Sequence, residues 1–447
     1  MSADPTIAAG AGATAADAAA VNAATVEAAV AGTAPGAPVD APTTSGYAVK
    51  PLYLTAPFAM LVLFVVWTAI PSFLIPVQVQ AITGETDASS LAFASVFGSV
   101  AAMIGNPVFG RLSDRTRSRF GRRTPWIAVC GIIGALVVFL QGSASSIVML
   151  GVCWAATNLI LNGFQAAFVA TVPDRVPRNR LGVMSSLIGA GLNAGVLVGS
   201  LMFVFFPQLA SSAGYTVLAV LIVIATLLFV LVSPDRDSRE QAREPFRLGE
   251  FLRGFWVSPR THPDFAWVFL SRVAIMLGYF MLFAFLLFAM QDYIGLSPDE
   301  ALQQGALVFT INGACSIVGS LVSAPFADKP GRLKGFVLVA GLLLAVSLTV
   351  PLFSATLTGM MVFAVLNGFA FGLYMAVDTA LVNKVLPVAA DAGKDLGIMN
   401  VAMVLPQVIS AVVGAAVVAL VGYWGLFLVA SIIAIIGAVA VLPVRKI

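Results

Sequence analysis

The sequence predicts an all-α membrane protein that crosses the bilayer twelve times, in two pseudo-symmetric bundles of six helices. Three observations predict it. Of 447 residues, 60% are hydrophobic and only 10% charged, with a mean hydropathy of +0.98, whereas a soluble domain carries roughly 25% charged residues. The apolar runs last about twenty residues, as a helix needs to cross hydrocarbon, rather than alternating over about ten as in a barrel. The runs also fall into two sets of six on either side of a polar stretch, and short anchors repeat between the sets.

Met1 to Gly46 is Ala-rich, carries Asp4, Asp17, Glu27 and Asp40, and precedes the first basic residue, Lys50. It lacks the basic start and apolar core of a secretory signal and reads as a disordered cytoplasmic tail over 1–50. Deleting residues 1–46 is expected to leave insertion and transport intact; loss of transport by a normally expressed truncation would contradict this. The expected spans are 52–80, 90–110, 125–142, 146–172, 181–206 and 214–233 in an N-terminal bundle (51–233). In a C-terminal bundle (265–447) they are 265–291, 302–326, 334–354, 358–386, 396–419 and 422–443. The polar stretch 234–264 is a solvated linker. Cys130, Cys153 and Cys315 lie singly inside apolar runs and read as small buried hydrophobes.

Lys and Arg are enriched in cytoplasmic loops. Arg111, Arg115, Arg117, Arg119, Arg122 and Arg123 follow the second span, Arg175, Arg178 and Arg180 the fourth, Lys329, Arg332 and Lys334 the eighth, while Lys384 and Lys394 lie at or beyond the end of the tenth. Every odd-to-even loop lacks both residue types. Both termini are therefore expected in the cytoplasm of a cell whose inner membrane holds the protein.

The two sets of spans match internally. Gly105 and Asp114 recur as Gly319 and Asp328 at an offset of 214, and Gly121-Arg122 and Gly131 recur as Gly331-Arg332 and Gly341 at 210. Leu181-Gly182-Val183-Met184 recurs as Leu396-Gly397-Ile398-Met399 at 215. Duplicated six-helix halves of this kind place a transport cavity between them.

Spans three, six, nine and twelve are almost purely apolar and can face lipid. The others carry polar stripes. Asn158, Asn162 and Gln165 share one helical face, as do Asn367, Phe371, Tyr374 and Asp378; Asn193, Asn400, Gln407, Trp67 and Gln78 add to them. Each amide alone is as consistent with helix-to-helix hydrogen bonding as with a cavity. Stripes from both halves converging favour a cavity for an uncharged, polyhydroxylated solute, whose hydroxyls need partners once desolvated. Arg272, which shares a face with Tyr279, and Asp378 are the only charges clearly inside spans. Intramembrane charges mark function. A carboxylate deprived of water binds a proton more readily, so Asp378 is a coupling candidate, the alternative being simple pairing with a basic gate residue.

The run Gly110-Arg111-Leu112-Ser113-Asp114-Arg115, continued through Arg119-Phe120-Gly121-Arg122-Arg123, resembles the loop between helices two and three of the major facilitator superfamily. The resemblance implies a charged latch on the cytoplasmic side involving Asp114, Arg115 and Arg122, which the internal repeat extends to Asp328 and Arg332. Ser118 to Pro125, Leu396 to Asn400 and Leu405-Pro406-Gln407 are similar to sucrose carriers and to glycoside, pentoside and hexuronide cation symporters. Sucrose carriers of plants place a carboxylate in helix four, and Cys153 to Phe168 holds none, which leaves Asp378 or the outer Asp292 for any proton coupling.

The expected function is therefore proton-coupled uptake of a sugar or glycoside by alternating access. The substrate site comprises Trp67, Gln78, Asn158, Asn162, Gln165, Asn193, Tyr279, Asn367, Tyr374, Asn400 and Gln407, and coupling falls to Asp378, Asp292 and Arg272. A proton-driven exporter of drugs or metabolites is the first rival and would favour a more apolar, aromatic cavity. An intramembrane enzyme is a weaker one, because the only histidine, His262, lies in the linker. A sensor lacks a sizeable soluble domain to carry its signal. The expected partners are the substrate, a proton and the lipid bilayer, with no cofactor, metal or nucleic acid and a monomer as the working unit.

Overall fold

A computed structural model describes residues 51–177, 180–239, 263–327, 333–385 and 392–444. The tail, most of the linker including His262, and Asp328 and Arg332 lie outside the described residues. The first bundle comprises α1 (Leu52–Thr83), α2 (Ala88–Arg115), α3 (Thr124–Gln141), α4 (Ile147–Arg175), α5 (Leu181–Phe205) and α6 (Ser212–Val232). The second begins with α7 (Pro263–Asp292), α8 (Pro298–Ala327), α9 (Leu333–Phe353) and α10 (Leu357–Val385).

Among the described residues, eleven helices are long and apolar enough to cross a membrane. The last of these, Leu405–Val439, has 35 residues and would measure about 52 Å if continuous, against a hydrocarbon core of about 30 Å. Gly422 breaks it, at φ 75° and ψ −173°, a backbone shape open to glycine and costly for other residues. The break separates α11 (392–421) from α12 (423–439) and brings the crossings to twelve.

Local chemistry explains the ends and bends. The Asp87 carboxylate caps α2 by accepting from the Ser89 and Ser90 backbone N–H groups, and Ser146 caps α4 by accepting from Met149 N–H. In α1 the ring of Pro71 removes a backbone donor and crowds the preceding turn; the helix widens there into a π turn over Ile70–Leu74. Several helices outrun their expected spans, two of them at the arginine-rich loops. α2 continues to Arg115 and α4 to Arg175, so Gly110–Arg115 forms the last turns of a helix rather than a loop. Helical hydrogen bonds need no lipid, and these charged turns project past the hydrocarbon.

With lipid as solvent, helices associate through close backbone approach at small residues. Gly191, Gly195 and Gly199 of α5 sit on the carbonyls of Pro57, Leu61 and Val65 of α1, and Gly368 and Gly372 of α10 sit on the carbonyls of Asn312 and Ser316 of α8. Any side chain at these glycines would drive the paired helices apart. The outer surface is apolar, as at Ile133 and Leu136 of α3, Ile224 and Leu231 of α6, Val339 and Val346 of α9, and Ile435 and Ile436 of α12.

Candidate transport site and gates

α7 and α10 run antiparallel and meet at two rungs. At one, the rings of Tyr279 and Phe371 stack with centroids 3.8 Å apart and planes 12° from parallel. At the other, Arg272 Nη1 lies 3.2 Å from Asp378 Oδ2, with both side chains almost fully buried. Each rung is seven residues from the other along both helices, which is the register that antiparallel packing requires. Tyr374 donates its hydroxyl to Asp378 Oδ1 at 2.8 Å. The Tyr279 hydroxyl donates to Asn312 Oδ1 at 3.1 Å, Asn312 Nδ2 to Asn367 Oδ1 at 3.1 Å, and Asn367 Nδ2 to Ser347 Oγ at 2.9 Å. This chain joins α7, α8, α10 and α9. Five sequence-predicted residues thus fall into two groups along these helices, Arg272, Tyr374 and Asp378 at one rung, Tyr279 and Asn367 at the other. Asn312 and Ser347 complete the second group; Asn312 opens a polar stripe with Ser316, Ser320 and Ser323 that could have pointed to it, whereas Ser347 stands in an otherwise almost apolar span.

The amides of the first bundle are arranged differently. Asn158 Nδ2 donates to Trp154 O at 3.1 Å, Asn162 Nδ2 to Asn158 O at 2.8 Å, and Asn193 Nδ2 to Gly189 O at 3.1 Å, each one turn back on its own helix. Asn158 and Asn162 lie against Gly98 and Gly105 of α2. Gln78 bridges within its bundle: its Nε2 donates to the Gln141 and Ala144 carbonyls at 3.0 and 3.1 Å, while its Oε1 accepts from the Tyr215 hydroxyl at 2.8 Å. Gln165 and Asn193 are half-buried and Gln407 is exposed. The Trp67 indole N–H is buried without a partner among the described residues and packs edge-on to Phe64. Asn400 lies in α11, its side chain outside the described set.

The bundles are clasped at the end that carries no Lys or Arg. There Gln80 Nε2 donates to Gln291 Oε1 at 2.9 Å and Gln291 Nε2 donates back to Gln80 Oε1 at 3.2 Å. The Thr86 hydroxyl donates to Asp292 Oδ2 at 2.7 Å, Gln303 Nε2 to Val204 O at 3.1 Å, and Thr310 Oγ1 contacts Ser200 Oγ at 2.9 Å. Between described residues, the side-chain hydrogen bonds that cross from bundle to bundle all lie here. Beneath them a row of rings runs Phe203–Phe73–Phe309–Phe283–Tyr279–Phe371 at centroid spacings of 4.8, 5.9, 5.1, 4.8 and 3.8 Å. Asp292 is exposed, and belongs to this closure rather than to the buried cluster.

At the opposite, arginine-rich face, Arg123 is the hub. Only 4% exposed, it meets Asp114 Oδ1 at 2.6 Å and Asp174 Oδ2 at 3.0 Å, and donates to Ser113 Oγ at 2.8 Å. Burial works against its charge, but Asp174 and then Asp114 outweigh burial and hold the guanidinium protonated more firmly than usual. Arg122 grips Asp174 with two donors, and Arg175 pairs with Asp235 at 3.3 Å. Arg115, the last residue of α2, is exposed. The start of the linker is stitched to the same loop: Asp235 Oδ2 accepts from Arg123 N–H at 3.1 Å, and Ser238 N–H donates to Ser118 O at 3.1 Å. Asp114 and Arg122 were legible from the resemblance, whereas Arg123, Asp174 and Asp235 as partners were not. Gly121, at φ 86°, packs against the Asp235 carboxylate. Gly121→Ala forces a side chain into that carboxylate at a left-handed backbone position, and is expected to cost about 1–3 kcal/mol. A lower melting temperature of the detergent-purified protein checks this; unchanged melting would mean the linker contact contributes nothing.

The family description of the Major Facilitator Superfamily matches residues 52–356 and 268–446. An MFS-type transporter of Aspergillus fumigatus is 24% identical over 378 residues, 79% of this chain and 82% of the relative. Among solved structures, a variant of the nucleoside transporter NupG superposes with a TM-score of 0.73 at 15% identity, covering 88% of this chain and all of that one. A bacterial homologue of the human lysosomal transporter Spinster, inward-facing and occupied, gives 0.69 at 13% identity over 89% of this chain and 97% of that one. The chain belongs to the major facilitator superfamily. It is a multi-pass membrane transporter and not an enzyme.

Proposed function

We propose that this transporter takes up a sugar or glycoside together with a proton by alternating access, as a monomer in an inner membrane with both termini cytoplasmic. The bundles are taken as 51–233 and 265–447, joined by the linker 234–264. The observation that carries the reading is the pairing of rungs on α7 and α10: one protonatable carboxylate, Asp378, stands two helical turns from an aromatic platform, Tyr279–Phe371, edged by amides. Aromatic faces suit the apolar face of a sugar ring, and amides suit its hydroxyls. Gln165, Gln407 and the Trp67 N–H, which has no partner among the described residues, are the groups left to meet the solute, with the free oxygen of half-buried Asn193 beside them, whereas Gln78, held at both ends by its own bundle, leaves the substrate set. The short runs similar to sucrose carriers and to glycoside and related cation symporters support the same class. Basic residues mark the cytoplasmic side, so closure at the arginine-poor end corresponds to a state sealed from outside.

A drug or metabolite exporter is the second reading, favoured by the long ring row and by amides that bond within the protein. Uptake of a labelled sugar and glycoside panel into proteoliposomes, with and without an inward proton gradient, tests both. Accumulation of a panel member under the gradient is expected. No accumulation, together with proton-driven efflux of aromatic cations, would replace the first reading with the second.

A further inference from the structure

We infer that the arginine-rich corner where α2 ends binds the phosphate group of an anionic phospholipid, through Arg111, Arg115 and Arg119. The register of α2 supplies the first argument. Phe93, Phe97, Val100, Ile104 and Val108 are all exposed, at 43–50%, and their spacing of four, three, four and four residues keeps them on one face. The face that packs on α4 is a different one, marked by Gly98 and Gly105. The apolar stripe therefore lies against lipid. Three and seven residues past Val108 the same stripe continues as Arg111 and Arg115, both exposed. Arg111 stands about 4 Å beyond the last apolar residue of the stripe and Arg115 about 10 Å, where a headgroup layer of about 5–7 Å borders the hydrocarbon. Arginines so placed lay their stems along the apolar face and turn their guanidinium groups to the headgroups. Basic loops on one side of a membrane require only the number of such residues; their register with the lipid-facing stripe is a separate property of this helix.

Charge and aromatic placement select the ligand. Between residues 110 and 124 six arginines accompany a single carboxylate, Asp114, and the buried Arg123 engages that carboxylate. The corner is therefore strongly cationic, and its complement is an anion. Four residues on from Arg115, the Arg119 guanidinium lies 4.6 Å over the ring of Phe120, which is 57% exposed. A ring beneath a guanidinium suits the boundary between chains and headgroups, where the ring meets acyl carbon and the cation meets phosphate. The planar fork of arginine also matches phosphate better than an ammonium does, because it donates two parallel hydrogen bonds to two oxygens. The arginines of this loop divide between two tasks. Arg122 and Arg123 bind the carboxylates of Asp174 and Asp114, and Arg111, Arg115 and Arg119 meet the membrane. Arg115 acts on lipid rather than in the latch.

The test uses delipidated protein in detergent, titrated with mixed micelles of phosphatidylglycerol or phosphatidylcholine, or with glycerol phosphate. Phosphatidylglycerol is expected to raise the melting temperature by binding the folded state, and native mass spectrometry is expected to show it retained in preference to phosphatidylcholine. Arg111→Gln/Arg115→Gln is expected to weaken the apparent affinity for phosphatidylglycerol by about tenfold or more. Arg236→Gln/Arg239→Gln removes the same charge from exposed residues of the linker and is expected to keep the affinity of the parent. Arg119→Gln and Phe120→Ser lie outside the helices, so they give the same reading should the first pair disturb α2, and each is expected to weaken retention. An equal loss in both double variants would show that total charge, not this corner, attracts the lipid, and would overturn the site. Unchanged affinity in Arg111→Gln/Arg115→Gln would do the same. A melting shift produced equally by glycerol phosphate would overturn the lipid assignment in favour of a soluble phosphate.

Discussion

Replacing Arg123 by alanine is expected to lower the stability of the protein and to abolish most of its transport, whereas replacing Arg122 slows transport in a protein that still folds. The difference follows from burial. The Arg123 side chain is 5% exposed and meets two carboxylates, while that of Arg122 is 31% exposed and shares one of them. Removing one partner of a buried pair costs roughly 3–5 kcal/mol, because the other is left uncompensated. Asp114 and Asp174 are 35% and 23% exposed, and water offsets part of that, leaving about 2 kcal/mol. An exposed pair such as Arg122–Asp174 contributes about 0–1 kcal/mol. The Arg123 side chain also joins the end of α2 to that of α4, so its loss loosens both, while its backbone N–H keeps its bond to Asp235. Melting of the purified variants in detergent, followed by tryptophan fluorescence, separates them. If Arg123→Ala melts with the parent protein, the buried network is not what holds this face. Asp114→Asn is expected to resemble Arg122→Ala in slowing transport without unfolding, since Asp174 remains to balance Arg123.

Twelve crossings and two bundles were legible because each rests on local chemistry: run length, Lys and Arg placement, and a glycine-charge pattern confined to a few residues. The fate of each polar side chain was not, because it depends on a neighbour far along the chain. Gln78 and Gln80 stand two residues apart, so they point roughly 200° from each other around α1. One ties α3 and α6 within its bundle, and the other reaches Gln291 across to the second bundle. Spacing predicted that Asn158 and Asn162 share a face, but only Gly98 and Gly105 on α2 decide that this face meets a helix. Asp174 and Asp235 look like ordinary solvated acids beside arginines until folding brings them to Arg123 and Arg175. In the second bundle Asn367, Tyr374 and Asp378 face partners of matching chemistry, and Asn312, which shares a helical face with Ser316, Ser320 and Ser323, supplies a link whose partners on α7 and α10 only folding reveals. Asp328 and Arg332, the repeat's counterparts of Asp114 and Arg122, lie outside the described residues.

Asp378→Asn is expected to abolish proton-driven accumulation, a loss of at least tenfold, while leaving exchange of substrate across the membrane. Asparagine imitates the protonated carboxyl permanently, so the carrier binds and reorients but no longer releases a proton to drive net uptake. The ion pair adds a structural cost that has to be separated from coupling. With Asp378 neutralised, Arg272 stays charged, buried and unpaired, which costs roughly 3–5 kcal/mol. The reverse change is milder, because an unpaired Asp378 can neutralise itself by binding a proton and Arg272 has no such escape. Three melting temperatures therefore order the variants: Asp378→Asn lowest, Arg272→Gln intermediate, and the double variant Arg272→Gln/Asp378→Asn nearest the parent. Tyr374 provides a further check. Its hydroxyl donates to Asp378, so Tyr374→Phe is expected to shift the pH dependence of uptake without uncoupling it. Coupling is assigned by the combination of retained counterflow and lost accumulation in whichever Asp378 variant folds. If the folded double variant still accumulates substrate against its gradient in proportion to the proton gradient, Asp378 is not the coupling group and the pair is structural.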